Sequence, residues 1–124
     1  MLVPEELLYT PQHEWVRITG GVARIGITDY AQDALGDVVF VGVPTIGTAV
    51  VADQSFTEVE STKSVSDIYA PVSGTVTAVN DVLATQPELL NADPYGAGWI
   101  CEITLDGPAP QLLDSAAYSA LVAG

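Results

Sequence analysis

Lys63 is the only lysine in the chain, and it stands in the stretch ESTKSVSD (residues 60–67), among small hydroxyl residues and between Glu60 and Asp67. A lysine amine titrates near ~10.4 in water, so it becomes a nucleophile at neutral pH only where burial or a neighbouring cation depresses that value. The neighbours here are acids, at positions 58, 60 and 67, and Schiff-base chemistry is not what such a setting offers. What a lysine on a hairpin tip offers is access for another enzyme, which can join an acyl group to the ε-nitrogen as an amide and turn the side chain into the root of a tether. The plainer reading, a turn lysine that only solvates its loop, stays open beside it. With no second lysine the N-terminus is the one competing acceptor amine, although a chain poor in lysine for compositional reasons shows the same scarcity.

The other residues able to do chemistry are isolated. One histidine, His13, and one cysteine, Cys101, permit no internal disulfide and no cluster with metal-ligand spacing, so no metal is expected. In WICEITL (99–105), Trp99, Cys101, Ile103 and Leu105 share one parity while Glu102 and Thr104 share the other. That is the pattern of a half-buried strand, with Cys101 as a core hydrophobe. A lone histidine with no Ser or Cys in a recognisable arrangement reads as structural, and dispersed acids place no pair across a cleft for hydrolysis. No catalytic residue is assigned. Sixteen acids against three bases (Arg17, Arg24, Lys63) give a net charge of -13. Such a surface repels phosphate backbones and anionic lipids, which argues against nucleic acid and membrane as partners and favours basic patches on other proteins.

The elements that must carry these residues are mainly β. Val, Ile, Thr and aromatic residues recur in short runs punctuated by Gly, Pro, Asn and Asp. Eight strands are expected, at 14–18, 22–27, 37–43, 48–52, 55–61, 64–70, 74–79 and 99–105. The first two are joined by Thr19-Gly20-Gly21 as a hairpin, the glycines supplying positive φ. Lys63 then falls at the tip between the fifth and sixth. Helices are few: 28–36, with Thr28 or Asp29 as cap and Gly36 as stop; 87–91, opened by Pro87; and 114–123, capped by Asp114, with Ala117, Tyr118, Leu121 and Val122 as an apolar stripe lying over the β core. Residues 43–48 and 70–75 both read apolar-Pro-x-x-Gly-Thr, at an offset of 27, which suggests two similar halves about a pseudo-twofold axis. The N-terminal stretch has no basic residue before Arg17 and no sustained apolar run, so neither a targeting peptide nor a membrane span is expected, and the cytoplasm is the simplest location.

Six stretches taken in order carry a resemblance: YTPQHEWV (9–16), GITDYAQDALGDVVFV (26–41), VESTKSVSDIYAPVSG (59–74), VNDVL (79–83), PELLN (87–91) and PYGAGW (94–99). They resemble the glycine cleavage H-protein family over nearly the whole chain. The resemblance implies a hammerhead-type β barrel-sandwich hybrid with a few short peripheral helices, a single lipoyl-carrier domain over residues 1–124, and lipoate attached covalently to Lys63. It implies a shuttle and not an enzyme. The lipoyl arm would accept an aminomethyl group from glycine decarboxylase, a pyridoxal phosphate enzyme, deliver it to a tetrahydrofolate-dependent aminomethyltransferase, and be reoxidised by dihydrolipoyl dehydrogenase.

Lipoylating enzymes are implied partners too, reading Glu60, three residues before the lysine, and Gly74, eleven after it. Glu14 and Asp67 are implied to hold the protonated amine of the loaded arm. On pattern alone Glu14 is an exposed strand acid, Asp67 a turn cap, Glu60 a solvated strand acid and Gly74 a turn glycine. The chain is expected to act as a monomer. Thr62 departs from the family, which often carries Val there. Biotin carriers place methionines beside the lysine, whereas the only Met is Met1; lipoyl domains of 2-oxo acid dehydrogenases typically present Asp-Lys-Ala and are shorter. Two alternatives remain: a carrier relaying lipoyl groups to other enzymes, and an unmodified acidic binding module.

Overall fold

The computed structural model describes residues 1–123; Gly124, the last residue of the expected domain, lies outside them. Among the described residues nine strands are present rather than eight: β1 Leu8–Tyr9, β2 Glu14–Thr19, β3 Val22–Ile27, β4 Val38–Val41, β5 Ala49–Val50, β6 Ser55–Ser61, β7 Val65–Tyr69, β8 Gly74–Val79 and β9 Cys101–Leu105. The additional one, β1, is two residues long, too short to show alternation. Its partners define it: Leu8 and Tyr9 pair with Val16 and Trp15 of β2, and Tyr9 bridges to Leu113. Helices are α1 Asp29–Leu35, α2 Leu89–Ala92 and α3 Ser115–Ala123, and a 3₁₀ turn that the sequence pattern did not suggest, Asp81–Ala84, lies between β8 and α2.

Local signals account for the elements around the site. The β2–β3 hairpin turns through Gly20 and Gly21 at φ 57° and 80°, the left-handed backbone that a two-residue connection requires. Trp15 lies over Gly26 on the neighbouring strand, where a Cβ would meet its ring at 2.6 Å. Helix α1 opens on Thr28, whose Oγ1 accepts from the Ala31 N–H at 3.2 Å, and stops at Gly36, φ 78°. That settles the cap on Thr28.

The strands form two sheets, one of six in the order β1-β2-β3-β9-β8-β5 and one of three in the order β4-β6-β7. Their inner faces share one core: Val16, Ile25, Val76 and Ile103 from the larger sheet meet Val38, Val41, Val59 and Ile68 from the smaller. The fold is thus mainly β, two facing sheets with a few short helices, as a barrel-sandwich hybrid requires. Cys101 is buried in this core, and burial pushes its thiol up to about 12.

The two echoing segments lead into β5 and β8, which pair antiparallel with Ala49 opposite Thr75. An offset of 27 maps that pair onto Thr48 and Val76, which are also hydrogen-bonded, as a local two-fold relation demands. Helix α3 departs from expectation. Asp114 caps it, accepting from the Ala117 N–H at 2.8 Å, but only Tyr118 of the expected stripe is buried, stacked on Tyr9 at 4.7 Å. Leu121 stays exposed because the helix meets the two-residue edge strand β1 and not a broad sheet face. No helix among the described residues is long and apolar enough to cross a membrane.

Candidate functional site

Strands β6 and β7 pair through Glu60 and Val65, leaving Ser61–Ser64 as a four-residue connection. Connections of this length need no positive φ, and neither Thr62 nor Lys63 has one. Ser61 organises the turn. Its N–H donates to the Ser64 carbonyl at 2.8 Å, and its Oγ accepts from the N–H groups of Lys63 (3.3 Å) and Ser64 (3.1 Å). The Thr62 N–H donates to the Asp37 carbonyl at 3.0 Å, tying the tip to the segment that follows α1. Thr62 side-chain identity therefore matters little to the turn, since its backbone makes the tie.

Lys63 is exposed, at the tip expected for it. Its aliphatic stem lies across Gly36, where an added Cβ would meet Lys63 Cε at 3.3 Å. Asn91 of α2 clamps this platform with three hydrogen bonds. Its Oδ1 accepts from the Val38 N–H at 2.8 Å, and its Nδ2 donates to the Gly36 carbonyl at 2.8 Å and to Gln32 Oε1 at 3.1 Å. Sequence reasoning missed Asn91, because nothing local to PELLN shows that it faces a segment 53 residues away.

Beside the tip a groove of about 220 Å³ runs between residues 64–68, along the edge strand β7, and α1 (Tyr30, Ala31, Ala34), with His13 and Ile27 completing its wall. Asp67 is exposed on its wall and accepts from Ser55 Oγ at 3.2 Å across the β6–β7 pair. It caps no turn, correcting the pattern reading. His13 sits at φ 73°, its ring 4.6 Å from that of Tyr30 and its Nδ1 2.8 Å from Tyr118 Oη. Tyr118 Oη is in turn 2.7 Å from Thr28 Oγ1. Burial lowers the His13 pKa, so this wall of the groove favours the neutral ring.

Glu14 is not the exposed strand acid that alternation suggests: it is 1% exposed. The first half of β2 is covered on both faces, by the main core through Val16 and by the Tyr9–Tyr118 cluster through Trp15. Glu14 Oε1 accepts from Thr10 Oγ1 at 2.6 Å, and Oε2 from the Tyr69 N–H at 3.3 Å. Desolvation raises its pKa to about 7, against the lowering effect of those two hydrogen bonds, with a small further rise from the Asp53 charge. The tertiary structure thus places Glu14 against the backbone of β7, two residues beyond Asp67.

Glu60 is exposed on the outer face of the smaller sheet, close to the turn. Gly74 is buried, and it is not a turn glycine. It opens β8, and a side chain there would run into the Thr104 carbonyl of β9. It pairs with Val50 and Leu105 in the larger sheet, so its position answers to sheet packing. Among the described residues no three His, Cys, Asp or Glu side chains are grouped to hold a metal ion.

The arrangement presents one free amine on a pinned turn, beside a groove with one exposed and one buried carboxyl. A family model for the glycine cleavage H-protein matches residues 7–123. The glycine cleavage system H protein of Mycobacterium bovis is 59% identical over 115 residues, covering 92% of this chain and 86% of the relative. That of Mycobacterium avium is 56% identical over 123 residues, covering 94% and 93%. The crystal structure of a glycine cleavage system H protein from Mycobacterium marinum matches with a TM-score of 0.92 at 41% identity, covering 98% of this chain and 100% of that one.

Proposed function

The chain belongs to the glycine cleavage H-protein family, the lipoyl carriers of the glycine cleavage system, and from that premise we propose that lipoate is attached at Lys63 and that the loaded arm rests in the groove between β7 and α1. The carrying observation is the exposed Lys63 on a turn whose backbone is held by Ser61 and Asp37. The residues present fit the group. The amine is open to a modifying enzyme, the chain has no other lysine, and the groove begins at Ser64, the next residue. Lipoate, when bound, supplies a reducible disulfide that can carry a small amine-bearing fragment between enzymes.

The chain's own residues do the rest. Amide formation removes the charge on the ε-nitrogen, so the root of the tether is neutral. From Lys63 to Asp67 the chain climbs about 13 Å at strand rise, and a fully extended lipoyl-lysine reaches roughly 14 Å. An arm laid along the groove would bring its far end level with Asp67. Asp67, exposed on the groove wall, would be the first carboxylate to hold a protonated amine carried there. Glu14 stands behind the same strand with a carboxyl poised near neutrality, and an arriving cation draws it into the ionised form. One such pair, at about 4 Å in an effective dielectric of ~20, is worth at most ~4 kcal/mol before desolvation is subtracted. A partner enzyme can overcome a hold of that size by offering more contacts.

Glycine decarboxylase, the aminomethyltransferase and dihydrolipoyl dehydrogenase are the partners this reading assigns, with Glu60 serving the lipoylating enzymes. A net charge of -13 supports a monomer, since copies repel one another. The test uses the full chain incubated with a lipoylating enzyme and lipoate. Intact mass should show one lipoyl adduct on the wild type and none on Lys63→Arg, and glycine-dependent carbon dioxide release with the partner enzymes should fall to background for the variant. An adduct persisting on Lys63→Arg would refute the assignment.

A further inference from the structure

Strand β4 does not alternate. Val38 lies opposite Ser61 and Phe40 opposite Glu60, so Val39 is an extra residue in the register with β6. A bulge of this kind re-aims neighbouring side chains, and Val39 and Phe40 are each 52% exposed while Val38 and Val41 on either side fill the core. Across Glu60 in the same row stands Val65, 58% exposed. Three apolar side chains thus surround Glu60 on the outer face of the smaller sheet, next to the turn that carries Lys63. Around them Asp37, Glu58 and Asp67 are exposed, and the chain's other two bases lie on β2 and β3. Exposed apolar side chains set around and among acids, beside a functional site, have the form of an interaction surface.

We infer that the Val39–Phe40–Val65 patch is the docking surface for the enzyme that acylates Lys63, which meets it with an apolar depression rimmed by basic side chains. The inference rests on the reading of Lys63 as the attachment point. Reach selects this occupant. An unloaded lysine side chain extends only ~6 Å from its Cα, so an enzyme that must bring an acyl carbon to Nζ has to press on the hairpin itself. Enzymes handling the end of a loaded arm work roughly 14 Å out and need not touch this face. In the acylation step, with an acyl adenylate as donor, the ε-nitrogen bonds to the acyl carbon, adenylate leaves with the electron pair of the broken bond, and the amine gives up a proton. The acids draw a basic partner, and the apolar side chains around Glu60 hold it long enough for that exchange.

The test measures initial rates of loading on the unloaded chain with a lipoate ligase, lipoate and ATP, read by intact mass over a range of carrier concentration. Val39→Ser/Phe40→Ser should raise KM for the carrier about tenfold with kcat within about twofold, and Phe40→Leu should restore most of the loss. Val51→Ser, an exposed apolar residue outside the patch, should change neither, and wild-type KM should rise with ionic strength. Circular dichroism establishes that each variant is folded. If the wild type loads normally and the patch variants match it, the docking surface is wrong while the attachment reading stands. If the wild type takes no adduct, the attachment reading itself falls. If loading is unchanged but exchange with the glycine-cleaving enzymes drops, the patch serves another partner and the assigned occupant is overturned.

Discussion

Replacing Glu14 by Gln tests whether a buried carboxyl is kept near its ionisation point at a cost in stability. Glu14 titrates at about 7 in the folded chain against 4.5 as a free group, chiefly because burial strips its water. A folded-state pKa above the unfolded one means that the native protein binds the extra proton between those values. Its contribution is therefore fully present below pH 4.5 and lost as pH rises through 7. The shift from 4.5 to about 7, at 1.36 kcal/mol per unit, is about 3 kcal/mol. Gln keeps the shape and stays neutral. With its amide turned so that the oxygen accepts from Tyr69 N–H and the nitrogen donates to Thr10 Oγ1, both contacts of the carboxyl survive. Urea unfolding followed by the fluorescence of buried Trp15 at pH 5, 6, 7 and 8 should show the two proteins within about 1 kcal/mol at pH 5. The variant should gain steadily, to an advantage of about 3 kcal/mol at pH 8. His13 also titrates in this range, its folded pKa lowered, so it destabilises toward acid pH; the effect is common to both proteins and cancels in the difference. Parallel pH profiles for the two would refute the account of Glu14. In the loaded protein the same substitution should shorten the lifetime of the amine-bearing form while leaving loading intact.

Gly74→Ala drives a methyl group into the Thr104 carbonyl and should lower stability by about 1–3 kcal/mol in thermal unfolding, through strain between β8 and β9. Asn91→Ala leaves the Val38 N–H without its partner; a loss of about 1–3 kcal/mol is expected, with faster hydrogen exchange at Val38 and at Thr62, whose bond to Asp37 depends on the same segment. Cys101 is buried, with its thiol pushed up to about 12, so a thiol reagent should label it no faster than the chain unfolds, and labelling rate should follow denaturant concentration.

Elements with a strong local cause were legible in advance: the Gly20-Gly21 hairpin, the α1 cap narrowed to Thr28 or Asp29 and its stop at Gly36, the Asp114 cap and the buried parity of Cys101 and Ile103. Each depends on backbone sterics or side-chain alternation within a few residues. The readings that changed involve distant partners. Tyr9 became a strand residue by pairing with Trp15 and Leu113, Gly74 owed its identity to β9 and not to a turn, and α3 buried one tyrosine in place of a stripe.

The same division runs through the site. Residue order alone put the single lysine on an exposed tip, because alternating runs on both sides of it must pair and something must join them. It also supplied the acids nearby and the motifs shared with glycine cleavage H-proteins. Only the folded chain brought α1 alongside β7 to make a groove, enclosed Glu14 so that its proton is held near neutrality, and let a bulge turn Val39 and Phe40 outward together. Burial, dielectric and concavity are properties of segments that meet across the structure, and local patterns carry no record of which segments those will be.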